Sequence, residues 1–223
     1  MNINKKFKDI NLLSESDLQR MYKIMGDVQK ILDYYNIKWW CIGGTLLGCI
    51  RHNAIIPWDD DIDISIHINN KQKLDSLKDE FKKNGYVLHE THPAFKIYPI
   101  DGVTCGDTPY KWPYIDIFTV VEKNNKLMFT SVVKSLHPPY LTLDDTEEYF
   151  CEYLFPHEIE KLLMYKFGPL KVPIPHIYDR TLKNTYGINY LINCSTPIFS
   201  AKTESKQKKI INFTIDEFNK FNS

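Results

Sequence analysis

Apolar and polar positions along this chain follow two periods, one helical and one extended. Between residues 14 and 35 the period is helical: Leu18, Met21, Tyr22, Met25, Val28, Ile31, Leu32 and Tyr35 fall on one stripe, the spacing of an amphipathic helix with one buried face. Ser14 or Ser16 is placed to cap it, and Glu15 and Asp17 lie in its first turn, where acidic side chains complement the exposed N–H groups. Residues 37–42, IKWWCI, form a short apolar run that predicts a buried strand. Gly43-Gly44 breaks it, Thr45–Arg51 is predicted as a short helix, and 53–57 is a loop ending in Pro57, which has no N–H to give to a ladder. At 61–68, DIDISIHI, the period becomes a strict two, that of a strand.

Further along, residues 70–83 read as a helix ended by Asn84-Gly85, a common stop signal. Strands are predicted at 86–90, 94–99, 114–121 and 127–133, the last two joined by a hairpin at Asn124-Asn125. A second hairpin is expected over 160–173, turning at Gly168-Pro169. A helix at 177–186, closed by Gly187, follows it, and a terminal helix is expected at 206–221. Helices alternating with strands early, then a run of strands, predict an α/β or α+β fold with one mixed central sheet flanked by helices. At 223 residues the chain is expected to be a single domain, with its core over about 20–190 and a helical C-terminal extension at 191–223.

Composition narrows the function classes. Hydrophobic residues are 43% and aromatics 13%, sufficient for a packed core, and Lys+Arg equals Asp+Glu at 28 each. A neutral chain without a basic stripe is not expected to bind nucleic acid, and KTESKQKK at 202–209 is read as a solvated tail. The N-terminal MNINKKFKDINLL shows no secretory pattern, and no apolar run reaches membrane-spanning length. Five cysteines, at 41, 49, 105, 151 and 194, form no Cys-x-x-Cys pair. Free thiols of this kind fit a reducing compartment, and a cytoplasmic location is expected. Cys41 and Cys49 are expected to be buried small hydrophobes.

The chemistry concentrates in CIGGTLLGCIRHNAIIPWDDDIDISI at 41–66, where Asp59, Asp60, Asp61 and Asp63 occupy four of five positions. Strand alternation puts Asp61, Asp63, Ser65 and His67 on one face and Ile62, Ile64, Ile66 and Ile68 on the other. Two carboxylates about 6–7 Å apart along a strand repel by about 2–3 kcal/mol at an effective dielectric near 20, a cost that a shared proton or cation removes. Oxygen-only ligands suit Mg²⁺ or Mn²⁺. Asp116, in YIDIF at 114–118, lies between core-facing isoleucines and would complete a three-carboxylate cluster if its strand neighbours 61–68, an arrangement suited to phosphoryl transfer. A strand ending in Gly43-Gly44 and entering a helix offers N–H groups to phosphate oxygens. Thr45 adds a hydroxyl, and Arg51 a guanidinium for phosphate charge.

These motifs, in this order, resemble the polymerase β type of nucleotidyltransferase. More narrowly, GGTLLG at 43–48, Arg51-His52, IPWDDDIDI at 56–64, YIDIF at 114–118, and VPIP at 172–175 followed by YDRTLKNTYG at 178–187 resemble the LicD/fukutin family over roughly residues 20–190. The resemblance implies a nucleotidyltransferase fold. It also implies transfer of a phosphorylated alcohol (phosphocholine, ribitol phosphate or glycerol phosphate) from a CDP-linked donor to a sugar hydroxyl of a glycan. By the same resemblance, Asp61, Asp63 and Asp116 would be metal ligands and Asp59 would join them, with Asp60 pointing away. Gly43, Gly44 and Thr45 would line the donor phosphates, and Asp116 would position or deprotonate the acceptor hydroxyl. One departure is Asn53-Ala54, where relatives often carry glycine or lysine.

Several roles stay open at this level. Lys96 either reaches a phosphate or sits at a strand edge, and His52 either assists a phosphate or belongs to a loop. Trp58 either stacks on the cytosine or wedges beside Pro57; Tyr186 either packs or shapes the acceptor site. A glycosyltransferase holding a nucleotide sugar by Asp-x-Asp, and an inactive binding module, are the rival functions.

Overall fold

A computed structural model describes residues 6–91, 95–129, 153–197, 199–206 and 209–222. The first long helix, α1, spans Glu15–Tyr34. Ser14 is its cap: the Ser14 hydroxyl accepts from the Asp17 N–H at 3.1 Å, and the Asp17 carboxylate accepts from the Ser14 N–H at 3.3 Å, a reciprocal capping box. Its buried stripe is Met21, Ile24, Met25, Val28, Ile31 and Leu32. Strand β1 (Trp39–Cys41) follows. Helix α2 (Gly43–His52) then starts two residues before the predicted position, at the glycines themselves. It stops at Asn53, whose φ of 53° is left-handed, a conformation asparagine tolerates better than most residues. Asn53 therefore supplies the turn for which a glycine is the usual choice.

The acidic strand is β2 (Ile62–His67). The single helix expected over 70–83 is instead a 3₁₀ turn at Ile68–Asn70 and two short helices, α3 (Lys71–Asp75) and α4 (Lys78–Lys83). At the break the Ser76 hydroxyl donates to the Lys73 carbonyl at 2.7 Å, a local bond that competes with helix propagation. Strands β3 (Tyr86–Glu90), β4 (Phe95–Pro99), β5 (Val103–Thr104), β6 (Lys111–Trp112), β7 (Ile115–Lys123) and β8 (Lys126–Phe129) come next. Asn124 and Asn125, both left-handed at φ 51° and 58°, turn β7 into β8 as expected. The first position of the 94–99 strand, and the part of the 127–133 strand beyond Phe129, lie outside the described residues.

The central sheet runs β1-β2-β7-β4-β3, with β8 also pairing β7. Every pairing in it is antiparallel except β2 with β7. The fold is thus mixed α+β around a mixed sheet. Ile62, Ile64, Ile66, Ile115 and Ile117 face one side and are fully buried in the main core with the stripe of α1. The other side is not simply polar, as alternation alone suggested. Trp40, Ile42, Val120, Leu127, Leu154 and Ile159 form a second, smaller core there, and Ser65 is fully buried. The acids therefore hold only the end of that face where β2 and β7 begin.

Beyond the 3₁₀ turn Pro156–Ile159, the hairpin β9 (Leu162–Phe167) and β10 (Leu170–Pro175) turns at Gly168, φ 59°, as predicted. Helix α5 (Asp179–Tyr186) closes at Gly187. The extension departs from expectation. Two small ribbons pair β11 (Asn193–Ser195) with β14 (Asn212–Thr214) and β12 (Phe199–Ser200) with β13 (Ser205–Lys206). Among the described residues of the extension, only Ile215–Asn222 is helical, α6. Thr214 and Glu217 explain that start: each side chain accepts the other's backbone N–H, at 3.2 and 2.8 Å, a Thr-x-x-Glu capping box. Phe213 and Phe218 then pack edge-on against Trp58, with centroids 4.8 and 4.6 Å away, and join the main core. Among the described residues, no helix is long and apolar enough to cross a membrane.

Candidate functional site

The parallel pairing of β2 with β7 creates the site. Its register sets Asp63 beside Asp116, Ile62 beside Ile115 and Ile64 beside Ile117. The antiparallel pairings beyond carry the row onward from Asp116 to Lys96 of β4 and His89 of β3. Two carboxylates on adjacent strands, about 5 Å apart, repel by about 3 kcal/mol at an effective dielectric near 20, and Lys96 answers one of them. Its Nζ lies 2.8 Å from both oxygens of Asp116. The strand-edge alternative for Lys96 is thus excluded.

The start of α2 is stapled to the acidic strand. The Ile42 N–H donates to the Asp63 carbonyl at 3.2 Å, and the Asp63 N–H donates to the Thr45 hydroxyl at 2.8 Å. Thr45 is buried, so its first task is to position Asp63. Thr45→Val should orphan a buried N–H and lower stability by about 1–3 kcal/mol, measurable by urea denaturation. Gly44 is needed for close approach: a Cβ there would stand 2.3 Å from Oδ2 of Asp59. Gly43 has a φ of 53°, which glycine adopts without a steric penalty.

A cavity of about 250 Å³ opens over these residues, lined by Gly44, Leu47, Arg51, Ile56, Trp58, Asp59, Asp61, Asp63, Tyr186 and Ser195–Pro197. Asp61 stands just ahead of β2 rather than within it. Its carboxyl is pushed well up, first by burial and then by Asp63, Asp59, Asp116 and Asp60. Asp59 rises to about 7 through burial and Asp60, with Arg51 opposing. Asp116 also rises through burial, while Lys96 pulls it back. These shifts show crowded carboxylates that favour a proton or a cation.

Asp60 does point away, as expected. Its carboxylate accepts from the Ser200 hydroxyl at 2.7 Å and from the N–H groups of Ala201 and Lys202 at 2.9 and 3.0 Å. Arg51 lines the cavity, but its guanidinium also clamps the extension, donating to the carbonyls of Tyr190 and Asn193 at 3.1 and 2.9 Å. Trp58 is buried and donates to the Ser195 carbonyl at 3.0 Å, which favours the wedge role over base stacking. Burial pushes His52 down to about 4, so it is a neutral packing group against Trp58. Cys41 and Cys49 are fully buried.

Several residues around the site were not among the sequence candidates. Tyr110 and Tyr114 enclose the Lys96 ammonium, Glu204 accepts from the Tyr114 hydroxyl at 2.7 Å, and Ser195–Pro197 closes one side. Among the described residues, no three His, Cys, Asp or Glu side chains stand together so as to hold a metal ion; both oxygens of Asp116 are taken by Lys96. The donor set still fits a hard cation. It is all carboxylate oxygen, it is crowded, and one ammonium already stands against it.

Comparison with known proteins gives the family. Residues 36–176 match the family described as LicD/FKTN/FKRP, nucleotidyltransferase domain. An uncharacterized protein of Rickettsia prowazekii (strain Madrid E) is 33% identical over 152 residues, 68% of this chain and 48% of that protein. The lipopolysaccharide cholinephosphotransferase LicD of Haemophilus influenzae is 48% identical over 51 residues, 20% of this chain and 19% of that one. The human ribitol 5-phosphate transferase FKRP is 38% identical over 48 residues, 22% of this chain and 10% of that one. The chain thus spans about half the length of the rickettsial relative and far smaller shares of the other two. The family match runs from the turn after α1 to the end of β10 and takes in every acid of the cavity: the chain belongs to the LicD/FKTN/FKRP nucleotidyltransferase domain family.

Proposed function

We propose that this chain is a divalent-ion-dependent phosphotransferase of nucleotidyltransferase fold, moving a phosphorylated alcohol from a CDP-linked donor to a sugar hydroxyl of a glycan. The observation that carries the reading is the register of Asp63 against Asp116, beside the Asp59–Asp61 run and opposite a helix that begins at two glycines. The named transferases among the relatives act with cholinephosphate and ribitol 5-phosphate, which supports a phosphorylated alcohol as the transferred group. Asp61, Asp63 and Asp116, with Asp59 beside them, would hold Mg²⁺ or Mn²⁺. Once bound, such an ion neutralises charge on the phosphoryl oxygens and lowers the pKa of a nearby hydroxyl.

The chain's own groups do the rest. N–H groups at the start of α2 receive phosphate oxygens, aided by the helix dipole, and Arg51 adds a positive charge at the cavity wall. Thr45 fixes the Asp63 backbone, and Trp58 and Ser195–Pro197 form part of the cavity wall. The acceptor oxygen forms a bond to the alcohol-bearing phosphorus, the bond to CMP breaks, and the hydroxyl proton passes to a carboxylate. Asp116, at the register position beside Asp63, is assigned that proton.

The test is CMP release from CDP-choline, CDP-ribitol and CDP-glycerol by the purified chain, with Mg²⁺ or Mn²⁺ and oligosaccharide acceptors, read by chromatography and product mass. Transfer of an alcohol phosphate supports the proposal. Transfer of a bare sugar from a UDP- or GDP-sugar in the same assay overturns it.

A further inference from the structure

The acidic cluster already has a resident cation, held in an unusual way. Lys96 Nζ sits astride Asp116, 2.8 Å from each oxygen. On its remaining side it meets ring faces, 3.5 Å from the Tyr114 centroid and 4.8 Å from that of Tyr110. Tyr114 is in turn anchored through its hydroxyl to Glu204. The Lys96 and Asp116 side chains are only 12% and 13% exposed. A lysine ammonium is a point charge on a flexible four-carbon stem, and here two ring faces, which also attract a cation, lie beside the carboxylate that holds it.

We propose that Lys96 is an exchangeable counter-cation, which holds the Asp116 carboxylate until a divalent ion takes it and then turns to an oxygen of the donor's diphosphate, so that metal and donor bind cooperatively. This rests on the reading that Asp61, Asp63 and Asp116 receive a divalent ion. The ammonium and that ion want the same oxygens and repel each other, so metal alone must displace Lys96 at a cost. Once displaced, the ammonium faces two tyrosine rings, a weaker site for a desolvated cation than a carboxylate. An arriving diphosphate supplies a new anion and removes that cost. Linkage makes the effect mutual: if donor strengthens metal binding, metal strengthens donor binding by the same factor. Lys96 is here a positioning residue. Direct contact of the ion with the diphosphate couples the two sites by itself, and the share that Lys96 carries is the part of the coupling lost in Lys96→Gln, which a merely structural ion pair would leave in place.

The experiment titrates Mn²⁺ into the full chain, with and without saturating CDP, reading free Mn²⁺ by electron paramagnetic resonance against a protein-free titration that gives the Mn²⁺ held by CDP itself, with circular dichroism as the check on folding. In the wild type, CDP should tighten Mn²⁺ binding about tenfold or more. Lys96→Gln removes the competing charge; it should bind Mn²⁺ alone about tenfold more tightly and lose most of the CDP enhancement. Lys96→Arg keeps the charge and grips a carboxylate through two bonds, so it should bind Mn²⁺ alone about tenfold more weakly. This second variant tests the proposal even if Lys96→Gln does not fold. Mn²⁺ affinities unchanged in either folded variant overturn the exchange while leaving the metal site standing. No Mn²⁺ binding by the wild type, with or without CDP, overturns the metal site and the exchange together.

Discussion

Asp61→Asn and Asp63→Asn should each abolish the proposed transfer, by at least about 10²–10³-fold, and Asp61→Asn should melt at a higher temperature than the wild type. The two effects have one cause. Burial and four neighbouring carboxylates all push the Asp61 carboxyl the same way. Ionising it in the metal-free protein therefore opposes folding, and an asparagine of the same shape removes that opposition along with the ligand oxygen charge. An acid that served the fold would show the reverse. The measurements are CMP release and thermal denaturation without metal; wild-type turnover in both variants would sink the assignment.

The same crowding sets a pH dependence. Asp59 titrates at about 7 in the folded protein against an ordinary 3.8. Between about pH 4 and about 7 the folded chain keeps a proton that the unfolded chain has lost. That contribution to stability is full below the lower value and gone above the upper one. It amounts to at most about 4 kcal/mol for a dry site, and less here because Asp59 is partly solvated. His52, pushed down to about 4, acts in the opposite sense, losing stability as pH falls through nearly the same window. A single wild-type profile would mix the two. The stability of Asp59→Asn relative to the wild type separates them: its advantage should grow from pH 5 to pH 8, and Mg²⁺ should narrow it at pH 8.

Much of this site was legible in the sequence because it rests on local patterns. The period-two run at 61–68 and the Asp116 strand gave two elements and their faces. The glycines marked the end of β1, although α2 starts at them rather than at Thr45, and Gly168 and Gly187 marked turns. What alternation cannot give is which strands become neighbours. The parallel pairing that sets Asp63 against Asp116 was a condition in the sequence reading and an observation in the structure. Lys96 was ambiguous for the same reason, since its role depends on register with β7.

The extension was misread for a different reason. Its ribbons are two or three residues long, too short for any period to show. Ile211, Ile215 and Phe218 fall at helical spacing, yet Ile211 stands ahead of strand β14 and only the other two belong to the helix. One signal was available: Thr214-Ile-Asp-Glu217 is a capping pattern, and it would have placed the helix start at Ile215. The break between α3 and α4 left a weaker trace in Ser76, whose hydroxyl bonds backward. The contacts of Asp60 with residues 200–202 link positions far apart in the chain, and no local rule reaches them.

Asp60→Ala should be the most destabilising change in the acidic run, costing about 3–5 kcal/mol in urea denaturation. Its carboxylate receives three donors from the extension: the Ser200 hydroxyl and the N–H groups of Ala201 and Lys202. Bonds to a charged acceptor contribute about 1.5–3 kcal/mol each, and they do not add fully because the donors sit on one short segment. Alanine leaves two backbone N–H groups in a partly buried place without that acceptor. The segment also forms the far anchor of the Ser195–Pro197 wall, whose near side is held by Arg51 at Asn193 and by the Trp58 indole at Ser195. Loosening one anchor should raise KM for the donor more than it lowers kcat, because the wall touches the cavity while Asp60 does not. Asparagine, keeping one oxygen, should fall between alanine and the wild type. Adjacent residues on an extended segment point to opposite sides, so two neighbouring aspartates should answer neutralisation with opposite signs. Asp60 holds the fold against the extension and its loss lowers stability; Asp61 strains the fold within the cavity and its loss raises it. Equal melting temperatures for Asp60→Ala and the wild type would mean that the wall stands without the carboxylate.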